Sequence, residues 1–437
     1  MYNIGDNFKS ERIGLMILIK NGRLVNPATN TDEVMDVAIE NGKILKVGKG
    51  IEENGFEKVI DATGKIVAPG LIDVHVHFRD PGFEHKEDLL TGSASAAKGG
   101  FTTVVCMANT KPVVDSVEVL NYVQNKAELV PINIVQAAAI TKGFLGKELV
   151  DMKTLKEAGA LGFTDDGLPI NDTALVMKAM EMAKELDVPL SFHEEDPSLI
   201  GNPGVNAGEV AKELGLVGAP NVAEDVMVAR DCMMAMKTGA KVDIQHISSG
   251  NSVDMVRFAK QHGARVYAEA SPHHFTLTED AVREHKTFAK MNPPLRTAWD
   301  RDKIIEGLKD NTIEIIATDH APHTTEEKTG EFQNCPSGII GLETSLALGI
   351  MSLVNAGHLT YLQLMEKMSV KPAELYNLDT ANIAEGKPAD IVIFDPNEKW
   401  IAGDYASKAE NTPFTGMEMT GKVKYTICNG RIAYEDK

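Results

Sequence analysis

Eight short apolar runs, separated by stretches with helical periodicity, occupy the middle of the 437-residue chain. Strands buried on both faces of a sheet are almost continuously apolar, and intervening helices make such strands parallel. The first five runs recur about every 30 residues, the length of one strand-plus-helix unit. Eight units predict an α/β fold, a (β/α)8 TIM barrel over residues 70–375. The runs lie at 72–78, 102–107, 132–140, 161–164, 190–192, 242–247, 265–270 and 313–317.

An open, doubly wound parallel sheet is the structural alternative to a closed barrel. The fingerprint of a dinucleotide-binding fold, G-x-G-x-x-G, does not follow the first apolar run, so that reading is not supported. The interval between the fifth and sixth runs is longer than the others and leaves room for an insertion or an extra helix.

The two ends of the chain show short strands and tight turns instead. A strand starts at Met16 and precedes an Asn21-Gly22 turn signal, and Asn41-Gly42 predicts a hairpin between 37–39 and 44–47. Near the other end, 390–394 is a strand and Asn429-Gly430 predicts a second hairpin. Neither end offers many strands alone. We therefore predict one small β-sandwich built from residues 16–69 and 376–437 together.

The composition of the chain excludes some classes of partner and indicates a cellular compartment. The chain carries 44 Lys and Arg against 63 Asp and Glu, a formal net charge of −19, which disfavours nucleic acid or an anionic membrane as partner. Its four cysteines are dispersed and form no C-x-x-C pair, which indicates reduced thiols and a cytoplasmic location. No apolar run approaches the ~18 residues of a membrane span. Residues 1–15 lack the pattern of a signal peptide and are expected to be a disordered extension.

Ionisable residues gather at the ends of the predicted strands, where barrels carry their chemistry. His75 and His77 lie two apart on the first strand, so both point to the same side. A lone histidine is usually a satisfied surface or core residue, but an aligned pair with further strand-end groups favours a metal site. Four imidazoles and two carboxylates suit one or two zinc ions. The other strand-end groups are Asn109, Asp165-Asp166, His193, His246, His273-His274 and Asp319-His320.

Not every histidine belongs to this predicted site. His320 is adjacent to Asp319, and neighbouring residues on a strand face opposite ways, so we leave His320 outside the ligand set. Four further histidines lie in loop or helix contexts and are not expected to bind metal: His85, His262, His285 and His358.

Two motifs resemble those of a known family. Residues 73–82 (DVHVHFRDPG) and residues 317–323 (ATDHAPH) with Lys328 are similar to the two signatures of dihydroorotases in the amidohydrolase superfamily, specifically the bacterial type I group. Residues 141–143 (TKG) and 338–344 (GIIGLET) are also similar to this group. The resemblance extends from Met16 to the end of the chain.

The resemblance implies a role for each site residue. His75, His77 and Asp319 match ligands of the more buried metal, Asp166 matches a bridging carboxylate, and His193 and His246 match ligands of a second metal. The residues alone leave Asp165 and Asp166 open, and only the family spacing favours Asp166. The positions that match substrate contacts are His77, Arg79, Asn109, Asn292, His323, Ser337 and Gly338. Ser337 departs from the phenylalanine that relatives often carry there.

The implied reaction is the reversible, zinc-dependent interconversion of N-carbamoyl-L-aspartate and L-dihydroorotate plus water in pyrimidine biosynthesis. A hydroxide on the metal attacks the cyclic amide, and Asp319 acts first as general base and then as general acid. Two alternatives stay open: a hydantoinase or allantoinase, and an inactive partner of aspartate transcarbamoylase. The first is disfavoured because residues 162–167 hold no lysine for a carboxylated bridge, and the second because every ligand position is present.

The resemblance also bears on assembly. It implies a homodimer and association with aspartate transcarbamoylase, although no interface can be recognised in the sequence. Residues 324–338 follow the eighth strand, are polar and contain two glycines. We expect this segment to act as a mobile lid over the site.

Overall fold

The computed structural model describes residues 16–436, so the predicted extension at 1–15 lies outside the described residues. Within this range the strands are β1 (Ile17–Asn26), β2 (Thr31–Glu40), β3 (Lys43–Gly48), β4 (Lys58–Asp61), β5 (Ile66–Pro69), β6 (Leu71–Val76), β7 (Phe101–Cys106), β8 (Asn133–Gln136), β9 (Phe163–Thr164), β10 (Leu190–Phe192), β11 (Val242–Ile244), β12 (Val266–Ala270), β13 (Ile315–Ile316), β14 (Ile391–Ile401), β15 (Glu418–Cys428) and β16 (Arg431–Glu435).

The α-helices within the same range are α1 (Leu89–Lys98), α2 (Val117–Ala127), α3 (Met152–Glu157), α4 (Thr173–Leu186), α5 (Glu209–Glu213), α6 (Asn221–Thr238), α7 (Gly250–Gln261), α8 (Pro272–Thr276), α9 (Ala281–His285), α10 (Ala298–Lys309), α11 (Thr325–Lys328), α12 (Ser345–Gly349), α13 (Tyr361–Met365) and α14 (Lys371–Leu375). Two π-helical segments, Ile350–Val354 and Glu366–Val370, continue α12 and α13. None of the described helices is both long and apolar enough to cross a membrane.

Strands β6 to β13 form the predicted barrel. Three of them pair in parallel as β6-β7-β8, and the other five pair as β9 to β13 in chain order. Isolated parallel bridges between Ala138 and Phe163, and between Val76 and His320, join the two groups and close the ring. Each of the eight apolar runs overlaps one of these strands, so the predicted fold class is confirmed.

The β domain formed by both chain ends is also present. Its strands belong to one eight-stranded sheet in the order β16-β15-β14-β5-β1-β2-β3, with β4 paired to β1. The sheet folds over an apolar core because β1 pairs with β4 through its first half and with β5 through its second. That core contains Ile19, Val37, Ile39 and Ile391.

Two of the three Asn-Gly signals in the β domain form the predicted turns, and one does not. Asn41-Gly42 joins β2 to β3, and Asn429-Gly430 joins β15 to β16, as predicted. The prediction of a turn at Asn21-Gly22 is wrong, because these residues lie inside β1. Asn21 has φ of 59°, and the pairing of β1 with β2 shifts register there, so the pair forms a β-bulge within one continuous strand.

Helix α4 shows how the sequence sets the outer layer of the barrel. Its buried positions, Val176, Ala179, Met180 and Ala183, recur at helical spacing and face the strands. Asp172 caps its first turn by accepting hydrogen bonds from two backbone amides. The long interval between the fifth and sixth strands holds α5 and α6, which is the insertion that the spacing predicts.

Candidate active site

A cavity of about 200 Å³ opens at the carboxyl ends of the barrel strands. This is the end of a barrel at which loops from different strands converge. Every residue that the sequence predicted for the site lines this cavity except His75, which is fully buried beneath it. The lining residues are His77, Arg79, Asn109, Asp166, Gly167, His193, His246, Asn292, Asp319, Ala321, His323, Ser337 and Gly338.

The histidine pair of the first barrel strand meets the aspartate that follows the eighth. His77 Nε2 lies 3.0 Å from Asp319 Oδ1, and His75 Nε2 lies 3.5 Å from the same oxygen. Two ligands in tetrahedral contact with one zinc ion are about 3.3 Å apart. The separation of these three groups is therefore that of ligands around a single ion, although β6 itself ends at Val76.

Asp166 lies between this trio and the histidines of the fifth and sixth strands. Its Oδ1 is 3.4 Å from His75 Nε2, 3.8 Å from His246 Nε2 and 3.9 Å from His193 Nδ1. Its Oδ2 is 3.4 Å from His77 Nε2. One carboxylate thus faces both sets of imidazoles, which is the arrangement required of a group that bridges two ions.

The polar atoms at the centre of the cluster fit a cation. Among the described residues, His75 Nε2 and Asp166 Oδ1 are buried without a hydrogen-bond partner. His193 Nδ1 and His246 Nε2 face each other at 3.1 Å. Buried polar atoms in folded proteins are normally paired, so unpaired nitrogen and oxygen lone pairs aimed at one point indicate a metal site.

The electrostatics of Asp319 point the same way. Burial alone would raise the pKa of this carboxyl, but the imidazoles of His75 and His77 hold its pKa well below the ordinary value. Asp319 is therefore ionised at neutral pH, as a metal ligand and a proton acceptor must be.

The structure distinguishes the two aspartates that the sequence left open. Asp165 turns away from the cavity and accepts hydrogen bonds from the amides of Ile140 and Thr141 at 2.8 and 3.0 Å, and from the Thr141 hydroxyl. Burial raises the pKa of Asp165 to about 6. Asp165 therefore stabilises the end of the third barrel strand, whereas Asp166 lies among the histidines.

Two buried glutamates that the sequence analysis missed contact the histidines from behind. Glu269 Oε2 lies 3.2 Å from His75 Nδ1, and Glu195 Oε2 lies 3.0 Å from His193 Nε2. A carboxylate on one ring nitrogen selects the tautomer and orients the other nitrogen toward a metal. A signal for Glu269 was present, because it is the one carboxylate within the buried strand β12. Glu195 follows His193 by two residues in the loop after β10, where no periodic pattern could have singled it out.

Asn109 contacts both the histidine pair and the central aspartate of the cluster. Its Oδ1 accepts a hydrogen bond from His77 Nδ1 at 2.9 Å, and its Nδ2 donates to Asp166 Oδ2 at 3.2 Å. With Nδ1 protonated in this way, His77 presents its unprotonated Nε2 to the cluster.

Arg79 and His323 line the same cavity and contact each other. Arg79 has φ of 61°, and its Nε donates to the carbonyl of Pro322 at 3.3 Å. His323 Nε2 donates to the carbonyl of Ser337 at 2.9 Å, and Lys86 Nζ lies 3.4 Å from His323 Nδ1. Burial and then the charge of Arg79 lower the pKa of His323 to about 3, so this imidazole is neutral at pH 7.

One further predicted substrate contact and three strand-end histidines complete the surroundings of the cluster. Asn292 lines the cavity, and its Oδ1 is buried without a partner among the described residues. His320 accepts a hydrogen bond from the amide of Gly341 at 3.2 Å and points away from the cluster, toward Glu87. His273 and His274 lie in α8, where His274 Nε2 contacts the carbonyl of Pro293 at 3.0 Å.

Comparison with known proteins identifies the family. Residues 64–252 match the model of the dihydro-orotase-like family. The dihydroorotase of Clostridioides difficile is 68% identical over 419 residues, covering 96% of this chain and 100% of that protein. The dihydroorotase of Clostridium acetobutylicum is 53% identical over 424 residues, with 97% and 100% coverage. The chain belongs to the dihydroorotase family.

Solved structures of hydantoinases share the fold of this chain. The L-hydantoinase (dihydropyrimidinase) of Arthrobacter aurescens superposes with a TM-score of 0.86 at 23% identity over 96% of each chain. A D-hydantoinase superposes with a TM-score of 0.84 at 25% identity over 97% of this chain and 96% of its own. These likenesses support the barrel with its attached β domain and carry no argument about substrate.

Proposed function

We propose that the protein is a dihydroorotase that interconverts L-dihydroorotate plus water with N-carbamoyl-L-aspartate in pyrimidine biosynthesis. The observation that carries this proposal is similarity to dihydroorotases over nearly the whole chain, at 68% identity to the protein of Clostridioides difficile. The pocket is consistent with it, because a cation, Arg79, lines the same cavity as the histidine-aspartate cluster.

We propose one or two zinc ions as the metal. His75, His77 and Asp319 would hold the more buried ion, Asp166 would bridge, and His193 and His246 would hold the second. The mixed nitrogen and oxygen donor set favours zinc over magnesium or calcium, which prefer oxygen alone. Zinc bound here would supply Lewis acidity to the ring carbonyl and a lowered pKa for water.

Asp319 is the residue we propose to move the proton. Its contacts with His75 and His77 are made by Oδ1, and among the described residues no hydrogen bond involves Oδ2. An ionised carboxylate in that position accepts the proton of the attacking water and returns it to the departing ring nitrogen. The low pKa of Asp319 keeps it in the form that accepts.

The substrate carboxylate would bind at Arg79 and Asn109, with His323, Asn292 and His77 nearby and the backbone of Ser337 and Gly338 closing the pocket. A guanidinium meets a carboxylate through two parallel hydrogen bonds, which gives orientation as well as affinity. Because the protein carries a net charge of −19, attraction of an anionic substrate must come from such local cations rather than from the overall field.

The organisation of the chain completes the proposal. We propose that residues 70–375 form the hydrolase domain, and that 16–69 with 376–437 form the β domain. We further propose a cytoplasmic enzyme that forms a homodimer and associates with aspartate transcarbamoylase. Size-exclusion chromatography with light scattering, on the purified protein alone and mixed with purified transcarbamoylase, tests both assemblies. A monomeric mass for the protein alone would refute the homodimer, and an unchanged mass in the mixture would refute the association.

One experiment tests the reaction and the metal together. The purified protein is assayed with dihydroorotate, hydantoin and allantoin, and the same sample is analysed for metal. We expect turnover of dihydroorotate alone and at least one zinc per chain. Preferential turnover of hydantoin would establish the hydantoinase alternative, full activity without metal would refute the metal roles, and no turnover of any ring would favour the inactive partner.

A further inference from the structure

Two buried lysines bind the backbone of residues 332–338, in the segment that follows the eighth barrel strand. Lys328 and Lys290 have exposed fractions of 0% and 2%, yet among the described residues neither ammonium forms an ion pair with a carboxylate. Burying a charged amine without a counter-ion is costly, so such a group must be compensated by hydrogen bonds. Burial and then the neighbouring charge of Lys290 lower the pKa of Lys328 to about 7.

Backbone carbonyls supply that compensation. Lys328 Nζ donates to the carbonyls of Pro336 and Gly338, each at 3.0 Å, and lies 3.3 Å from the carbonyl of Lys290. Lys290 Nζ donates to the carbonyls of Phe332 and Cys335, each at 2.7 Å. The two buried amino groups therefore bind the backbone of residues 332–338 through their hydrogen bonds.

The carbonyls bound by Lys328 flank the pocket itself. Pro336 and Gly338 stand on either side of Ser337, and both Ser337 and Gly338 line the cavity. The fit at Gly338 is close: its φ is 123°, and a Cβ there would lie 2.7 Å from the Cβ of Ala321. A small shift of this backbone would therefore change the shape of the cavity.

We propose that Lys328, assisted by Lys290, is a positioning residue that holds the Ser337-Gly338 backbone in place as one wall of the substrate pocket. Lys328 touches neither the metal cluster nor the cavity, so it acts through the backbone that it binds. This inference rests on the proposed function, because it treats Ser337 and Gly338 as substrate contacts.

Lys367 provides a matched control. Its side chain is 1% exposed, and its Nζ donates to the carbonyl of Ile313 at 3.0 Å and to Asn311 Oδ1 at 2.8 Å. These partners precede β13, at the end of the barrel opposite the cavity. Lys367→Met likewise removes a buried lysine that binds a backbone carbonyl, without touching the backbone that lines the pocket.

The experiment compares Lys328→Met, Lys290→Met and Lys367→Met with the wild type in the metal-loaded enzyme. Steady-state kinetics on dihydroorotate give KM and kcat, and hydrogen exchange measured by mass spectrometry follows the amides of residues 329–338. Lost binding contacts that are equal in ground and transition states raise KM with little change in kcat. We expect Lys328→Met to raise KM about tenfold, which is the effect of losing one ordinary hydrogen bond between the substrate and the displaced Ser337-Gly338 backbone. We also expect it to accelerate hydrogen exchange at residues 329–338.

The controls separate positioning from general stability. We expect Lys367→Met to leave KM and exchange at 329–338 unchanged even if it lowers the melting temperature. Equal effects of Lys328→Met and Lys367→Met on KM, or unchanged exchange at 329–338, would overturn the proposal. If Lys328→Met does not fold, Lys290→Met decides by the same two readouts. A wild type without dihydroorotase activity would refute the proposed function, and exchange would still test the positioning role.

Discussion

Replacing Arg79 tests whether the pocket is built for a carboxylate. A guanidinium carries five N–H donors. Arg79 uses its Nε on the carbonyl of Pro322, and its Nη2 lies 3.5 Å from His323 Nε2, which itself donates to the carbonyl of Ser337. The Nη donors are therefore available to a ligand in the cavity. Arg79→Met removes them, and Arg79→Lys keeps the charge without the planar pair.

The expected magnitude follows from that donor count. Two hydrogen bonds to a charged group are worth about 1.5–3 kcal/mol each, so losing both costs roughly 3–6 kcal/mol. That corresponds to a fall in kcat/KM of about 10²–10⁴-fold for Arg79→Met. Arg79→Lys retains one charged contact, and we expect a loss of about 10–10²-fold. Because Arg79 has φ of 61°, both variants place a side chain in the same strained backbone, so strain does not separate them.

The assay follows hydrolysis of dihydroorotate by its ultraviolet absorbance, with metal content and circular dichroism measured on each variant. We expect both variants to retain wild-type metal content, because Arg79 contacts none of the six proposed ligands by a hydrogen bond. A kcat/KM for Arg79→Met within threefold of wild type would refute the reasoning and the carboxylate assignment together. A loss of metal in parallel with activity would place the effect in the cluster instead.

Three further predictions follow from the buried groups. Glu269→Leu should weaken metal binding about 10–100-fold in chelator competition. Glu269→Gln should weaken it less, because an amide oxygen still accepts a hydrogen bond from His75 Nδ1. Equal metal affinities of the wild type and Glu269→Leu would exclude an orienting role. Asp319→Asn, assayed at saturating metal, should lower kcat by about 10²–10⁴-fold; wild-type kcat would assign the proton transfer elsewhere. Since the pKa of Lys328 falls from 10.5 to about 7 on folding, the unfolded state binds the extra proton between these values. Between pH 7 and 10.5, the free energy of unfolding measured by urea titration should therefore rise more steeply with pH in the wild type than in Lys328→Met, by up to about 1.4 kcal/mol per pH unit. Parallel profiles of the two proteins would contradict this.

The barrel and most of its site could be predicted because each depends on a short-range pattern. Apolar runs at regular spacing mark strands that are buried on both faces, and the carboxyl ends of parallel strands meet at one rim. His75 and His77 could be paired from sequence alone because alternate residues of a strand share a face. His193, His246 and Asp319 followed from their places at strand ends.

Other features depended on backbone conformation that local sequence leaves open. Asp165 and Asp166 are adjacent, and only the path of the chain after β9 turns one toward Thr141 and the other toward the histidines. Asn21-Gly22 is a common hairpin signal, yet pairing of β1 with β2 on both sides of it made it a bulge. In both cases long-range hydrogen bonding decided between conformations of similar local preference.

The sequence by itself determined the order of elements, the barrel, and the gathering of histidines and aspartates at the strand ends, because side-chain type and periodicity carry that information. The expected substrate contacts came only from the resemblance to dihydroorotases. Only the tertiary structure decided which groups stand behind them. Glu269 reaches His75 across 194 positions of the chain, and Lys328 meets the backbone around Ser337 through a turn of the loop. These partners meet because the fold brings them close and because buried polar atoms need hydrogen-bond partners. No fixed spacing in the sequence marks such pairs.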